Sequence, residues 1–404
     1  MARNVDIANA SAAASHAWEM EGAPGAETLL NGRRYLYFAG TGYLGLQGHP
    51  ALIAAASEAV QKYGIHAATS RAGYGTSPPV REVERRAARF LGADEAAYLV
   101  SGYAGNFAVM SALSDQATLA LVDEASHHSL VEATRMLAGL SQPAIVFRHR
   151  DAGHLDELLH VHARAGSRPL VLTDGVFALS GRVAPLADYL SVLAKYDGAM
   201  LYLDDAHALA VLGQCGRGSL ELAGVAATAI NRDPSEAAAG PRVFHSATLS
   251  KAVGGHGGIV AGTTDFMARL RRASGWFRGA SAPAASVAAA TAKGLELIEA
   301  DPTLRTRLAS NVGQLRHALR NLGLDVEVSG APIIGLQLTT AAAMQRVQQR
   351  LADEGILIAY TRDYAGAGRD GMLRIAVFAT HTNEQIARLV DALRRALAEE
   401  TGAE

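Results

Sequence analysis

Cysteine is almost missing from this chain: Cys215 is the only one among 404 residues. No intrachain disulfide can form, and nothing supports a cysteine-based metal cluster, so no metal is expected. Such sparing use of thiols fits a reducing compartment, and a cytoplasmic location is expected. Long apolar runs are missing too. No stretch approaches the roughly 18 uninterrupted apolar residues that a membrane span requires, and the N-terminal segment lacks the apolar core of a secretory signal. Nor is there a surplus of one charge. Lys and Arg total 37 against 39 Asp and Glu, a net charge of −2, with no basic stripe carrying interleaved aromatics. Nucleic acid and anionic membrane are therefore not expected partners.

What is present is a chain 49% hydrophobic and 19% charged, able to bury a large core and long enough for two or three domains. Short apolar runs at 96–100, 118–122, 144–147, 169–173, 199–203 and 257–262 alternate with helical patterns such as 79–91, 106–113 and 186–196. Unbroken apolar strands alternating with helices predict an α/β fold with a mostly parallel sheet covered on both faces. Ligands in such sheets sit beyond the carboxyl ends of the strands. The composition changes near residue 285. An alanine-rich helix (284–299) leads into a stripe of Leu304, Leu308, Val312, Leu315, Leu319 and Leu322, with Gly323 as its stop. A strand-like segment (326–338), a helix (341–354) and a last amphipathic helix follow. Thr382 and Gln385 resemble a capping box before the last of these. The organisation predicted is an arm over 1–44, a large domain over 45–285 and a smaller α+β domain over 286–404, with 236–241 as a surface loop.

Two segments carry the chemistry. In LYLDDAHALAVLGQCGRGSLE (201–221) an apolar strand runs into Asp204 and Asp205, with His207 close behind. A carboxylate at the end of a buried strand is costly unless something cationic meets it, and a protonated pyridine nitrogen would. Alone, this spacing is more often an ordinary hydrogen-bonded turn or a metal fragment. In FHSATLSKAVGGHGGIVAG (244–262), Lys251 sits among Ser246, Thr248 and Ser250 before a glycine-rich turn. A Schiff-base lysine needs such a small-residue setting for a planar cofactor, and neighbouring hydroxyls suit a phosphate. A lone lysine before glycines is usually a solvated loop residue; the ordered pair of motifs points to a pyridoxal-phosphate (PLP) site. Upstream, SGYAGNFAVMSAL (101–113) offers the backbone N–H groups of a helix start as an anion cradle. LVDEASHHSL (121–130) ends a strand at Asp123 and continues to His127 and His128, side chains able to stack on a heterocycle.

With these motifs the chain resembles the α-oxoamine synthase family of fold-type-I PLP-dependent transferases. The resemblance runs from GYLGLQGHP (42–50) through TDGVFALSGRVAPLADYLSVLAKYDG (173–198) to MLRIAVFATHT (372–382). It implies that Lys251 carries the cofactor, Asp204 pairs with the pyridinium nitrogen, His207 bonds the ring oxygen and His127 stacks on the ring. It also places Gly102, Tyr103 and Thr248 at cofactor and phosphate positions, and gives Arg374 the amino-acid carboxylate. Four departures stand out. Ala178 replaces a serine near the ring oxygen, Gly42 an asparagine at a substrate contact, and Val80 a histidine. Arg278 and Gly279 stand where relatives reach the partner subunit's phosphate with hydroxyls; Arg278 is either a stronger phosphate ligand or a solvated side chain. The segment AYTRDYAGAGRDG (359–371) is also atypical.

The activity implied is condensation of an amino acid with an acyl thioester, on CoA or an acyl-carrier protein, with decarboxylation to an α-amino ketone by a homodimer whose active site lies at the interface. Two rivals are weighed beside it. A PLP-dependent aminotransferase or aldolase would use the same grip, with Gly42 and Ala178 tuning the reaction. A non-catalytic regulator would have no use for the intact set of Lys251, Asp204 and His207.

Overall fold

The computed structural model describes residues 18–140, 142–236 and 240–401. Its central sheet has seven strands, ordered Glu95–Leu99, Gly258–Gly262, Arg242–Thr248, Met200–Asp204, Pro169–Asp174, Leu119–Asp123 and Ile145–Phe147. Gly258–Gly262 runs antiparallel to both its neighbours, and the other pairings are parallel. This is the mostly parallel α/β sheet expected. Most of its strands are apolar because both faces are covered. Leu119 and Leu121 pack with Leu155, Tyr189 and Leu193 on one side, while Ala120 and Val122 pack with Phe107, Met110 and Leu130 on the other. That alternation is the pleat itself.

The expected strands are present with their ends shifted by a residue or so. One central strand is missing from the expectation: Arg242–Thr248. Its His245, Ser246 and Thr248 look like loop residues, yet all three are buried. The strand tolerates the two hydroxyls because partners are supplied from neighbouring elements: Ser246 Oγ donates to Asn106 Oδ1 at 2.9 Å and Thr248 Oγ1 to Gly257 O at 2.9 Å, whereas His245 Nδ1 is buried without a partner among the described residues. The helix expected from 106 instead begins at Gly102 and ends at Ala112, capped by Ser101, whose hydroxyl accepts from the Ala104 N–H at 3.2 Å. Starting there aims its first turn at the carboxyl edge of the sheet.

Beyond the sheet, helix Ala285–Ala300 lies along helices Pro50–Tyr63 and Pro78–Leu91. The leucine stripe forms helix Thr303–Asn321, with Gly323 at φ 80° just past its end. Only Ile333–Leu336 of the expected 326–338 strand is regular; it joins Met372–Ala376 and Ala359–Thr361 in an antiparallel sheet. The capping box is formed: Thr382 N–H donates to Gln385 Oε1 at 3.0 Å and Gln385 N–H returns to Thr382 Oγ1 at 3.2 Å. Near the N-terminus, strands Glu27–Leu30 and Arg33–Tyr37 make a hairpin across Asn31 and Gly32, at φ 47° and 72°. Arg33–Tyr37 then pairs in parallel with Ile356–Leu357, tying residues of the expected arm to the C-terminal part of the chain. Residues 1–17 of that arm and 237–239 of the expected surface loop lie outside the described residues. Among the described residues no helix is long and apolar enough to cross a membrane, and no acidic, histidine or cysteine cluster has the form of a metal site.

Candidate active site

Three adjacent parallel strands end in carboxylates, Asp123, Asp174 and Asp204, and Asp174 faces Asp204 in register. Like charges so close cannot both be held cheaply. Burial, then the neighbouring Asp204 charge, pushes the Asp174 carboxyl well up, toward its neutral form. Asp204 is held by neutral donors alone: Asn106 Nδ2 at 2.8 Å and the Ala206 N–H at 3.0 Å. No arginine or lysine is ion-paired to it among the described residues, so this buried acid fits a cationic ring N–H. Asn106 in turn binds Ser129 Oγ at 2.7 Å and accepts from Tyr202 Oη at 2.6 Å. Ser129 Oγ lies 2.7 Å from His127 Nδ1, and the His127 N–H donates to Asp174 at 2.8 Å. One buried network therefore orients both the acid and the imidazole expected to meet the ring.

Lys251 Nζ lies 2.8 Å from His207 Nε2, and Tyr43 Oη lies 2.6 Å from His207 Nδ1. Burial lowers the Lys251 amine to about 8, against the pull of Asp204 and Asp174. Burial also depresses His207 strongly, and the charges on Lys251, Arg374 and His127 add to the effect, so the imidazole is neutral. His127 is likewise held below its ordinary range by burial.

Two cavities meet at these groups. An inner one of about 190 Å³ is lined by Gly102, Tyr103, His127, Asp204, Thr248 and Lys251, among others. An outer one of about 280 Å³ shares His127, His207 and Lys251 with it and adds Thr41, Ala178, Leu179, Thr361, Tyr364 and Arg374. The inner end suits a phosphate. Ser101 occupies the Ala104 N–H, while the Gly102 and Tyr103 N–H groups have no partner among the described residues. A Cβ on Gly102 would come within 3.0 Å of the Thr248 side chain, so glycine keeps that backbone open. In the outer cavity, Arg374 Nε donates to Ala178 O at 2.8 Å, Nη1 to Ala39 O at 3.0 Å and Gly40 O at 3.2 Å, and Nη2 to Tyr43 Oη at 3.4 Å. One Nη2 hydrogen is left without a partner among the described residues.

The structure thus brings Lys251, His127, Asp204, His207, Gly102, Tyr103, Thr248 and Arg374 to one place. Arg278 and Gly279 are not among them: both are exposed, at and just after the short helix Gly275–Arg278, outside these cavity linings. Val80 is fully buried core. Gly42 is turned from the cavity, where any Cβ would meet Gln47 Oε1 at 2.5 Å, and Thr41 lines the wall instead. Ser246, expected near the phosphate, belongs to the network around Asn106. Asn106, Ser129, Asp174, Tyr43 and Tyr364 escaped the sequence reading. A polar Asn106 in an otherwise apolar helix was the one available signal.

A family model described as aminotransferase class I and II matches residues 36–393. The 8-amino-7-oxononanoate synthase of Nitrosococcus oceani is 34% identical over 378 residues, covering 94% of this chain and 96% of the relative. That of Geobacter sulfurreducens is 34% identical over 378 residues, covering 93% and 92%. The chain belongs to this family, among its α-oxoamine synthases. A serine palmitoyltransferase from S. paucimobilis, solved with PLP and myriocin bound, superposes with a TM-score of 0.84 at 26% identity, covering 96% of this chain and 94% of that one. The fold is therefore that of a fold-type-I transferase. PLP fits the residues present: an unpaired buried acid, a depressed lysine and a helix start with open N–H groups.

Proposed function

We propose that this α-oxoamine synthase condenses an amino acid with an acyl thioester, releasing the thiol and carbon dioxide and forming an α-amino ketone. The observation that carries it is the position of Lys251, whose amine faces both cavities between the acid Asp204 and the guanidinium of Arg374. PLP, when bound, supplies an electron sink for the charge that develops on the amino acid's α-carbon. Asp204 accepts the ring N–H and keeps that proton in place, a preorganised electrostatic effect. The open N–H groups of Gly102 and Tyr103 would hold the phosphate, with Thr248 beside them once its hydroxyl turns from Gly257 O. His127 would stack on the ring and His207 would donate to its oxygen. Arg374 holds the substrate carboxylate through its remaining Nη2 hydrogen. Lys251, near 8 rather than its ordinary 10.5, has an appreciable neutral fraction at physiological pH and serves as the base for the α-proton.

The acyl-transfer half of the reading is supported by the relatives, two 8-amino-7-oxononanoate synthases and a serine palmitoyltransferase, which match nearly the whole chain. We further read the enzyme as a cytoplasmic homodimer. Tyr103, which lines the inner cavity, and Trp276 remain 39% and 44% exposed on either side of Phe107, a surface that a second copy would cover. The segment bearing Arg278 pairs with residues 71–72 beside it, and Arg278 with Gly279 would then serve the partner's phosphate. The test is to load purified protein with PLP, supply amino acids singly with acyl thioesters of graded length, and follow thiol and carbon dioxide release. Release dependent on both substrates is expected. Amino-group transfer to a keto acid without thiol release would replace this reading with an aminotransferase.

A further inference from the structure

We infer that Tyr43 is a positioning residue that fixes the tautomer of His207, keeping the imidazole proton on Nε2 so that this nitrogen faces Lys251 as a donor. The argument is hydrogen-bond counting. Tyr43 is fully buried, and its hydroxyl has two partners among the described residues, His207 Nδ1 at 2.6 Å and Arg374 Nη2 at 3.4 Å. A guanidinium has no acceptor, so the hydroxyl hydrogen cannot go to Arg374. It goes to His207 Nδ1, which is then the acceptor nitrogen. The imidazole is neutral, and its single proton therefore sits on Nε2, 2.8 Å from Lys251 Nζ.

A donor facing the lysine has a consequence. An ammonium opposite an N–H is repelled, whereas a neutral amine accepts from it, so this tautomer favours the free base. Asp204, at the end of its strand, pulls the amine toward its charged form, Asp174 adding to this only in so far as it is ionised, while Arg374 opposes the pull and the neighbouring His127 is held below its ordinary range by burial. Tyr43 also bridges two parts of the molecule. Its carbonyl accepts from the Ala379 N–H at 2.7 Å, beyond strand Met372–Ala376, and its hydroxyl joins the guanidinium of that strand to the imidazole beside the lysine. The state of the carboxylate-binding arginine is thereby coupled to the donor face of His207.

The value of this for catalysis rests on the reading of Lys251 as the cofactor lysine; the tautomer does not, and it is measured without cofactor. Nitrogen NMR of cofactor-free protein carrying isotope-labelled histidine, with the His207 signal assigned by its loss in His207→Gln, should show Nε2 protonated and Nδ1 bare. In Tyr43→Phe the two tautomers should mix. The Lys251 titration, read as pH-dependent acetylation of its peptide by mass spectrometry, should move up by about half to one pH unit. His207 protonated on Nδ1 in the unaltered protein overturns the inference. So does a folded Tyr43→Phe with a changed melting temperature but neither readout moved, since that is a purely structural role. If Tyr43→Phe does not fold, the spectrum of the unaltered protein decides. Failure of folded protein to take up PLP would count against the Lys251 reading and leave the tautomer standing.

Discussion

The Asn106 carboxamide donates to the Asp204 carboxylate at 2.8 Å, from a fully buried position on the helix that also carries the open N–H groups of Gly102 and Tyr103. A single element thus orients Asp204 and carries the open N–H groups beside it, the acid and the cradle of the proposed cofactor site. Asn106→Ala would remove the donor to Asp204 and the acceptor shared by Tyr202 and Ser246; these hydroxyls, 2.8 Å apart, could then satisfy only one of their two hydrogens with each other. We expect a loss of about 1–3 kcal/mol in stability by chemical denaturation, with weaker PLP binding by absorbance titration. Unchanged PLP affinity would show that Asp204 needs no such support.

Arg374→Lys keeps the charge and gives up the fork that reaches Ala178, Ala39 and Gly40. The KM for the amino acid should rise by about tenfold to a hundredfold, matching the loss of a charge-assisted hydrogen bond, while PLP is still retained. Steady-state kinetics with a saturating acyl donor reads the change. A KM unaltered by the substitution would place the carboxylate elsewhere.

Asp205 titrates in a useful range. Burial pushes its carboxyl up to about 7, against two hydrogen bonds from Ser219, and the adjacent Asp204 adds to the rise. The folded value lies above the ordinary 3.8, so the stabilisation from holding Asp205 protonated is complete below about pH 4 and is lost as pH rises through about 7. Asp205→Asn should flatten the fall of stability across that window, measured by denaturant unfolding at stepped pH. An equally steep fall in the variant would assign the titration to another group.

Arg278→Ala tests the interface, since alanine leaves no phosphate donor at the position. If Arg278 serves a partner's phosphate, PLP affinity should fall about tenfold or more, and the effect should vanish at dilutions where sedimentation shows monomer. Equal affinity in both proteins would make Arg278 a solvated side chain.

Much of this was legible in the sequence because it rests on local chemistry. Lys251 before its glycines, and Asp204 and His207 at the end of an apolar run, announce themselves by residue type and spacing; the apolar strands announce a sheet covered on both faces. Arg242–Thr248 was not legible. Its Ser246 hydroxyl is met by Asn106, its Thr248 hydroxyl by Gly257 O, and the backbone N–H of His245 by Asn231, all supplied from other elements. The same holds for Asp174, whose importance lies in facing Asp204 across a strand pair, and for Gly42, where the space that matters is filled by Gln47.

Residue order alone thus determined most of the secondary-structure alternation and singled out Lys251 and Asp204 as the proposed amine and acid, because covalent neighbours and periodic burial set those. The tertiary structure decided which hydrogen bonds those groups make: Tyr43 on His207, Asn106 on Asp204, Arg374 reaching back to the chain before Tyr43. Hydrogen bonds act over about 3 Å, and only folding brings residues hundreds of positions apart within that distance.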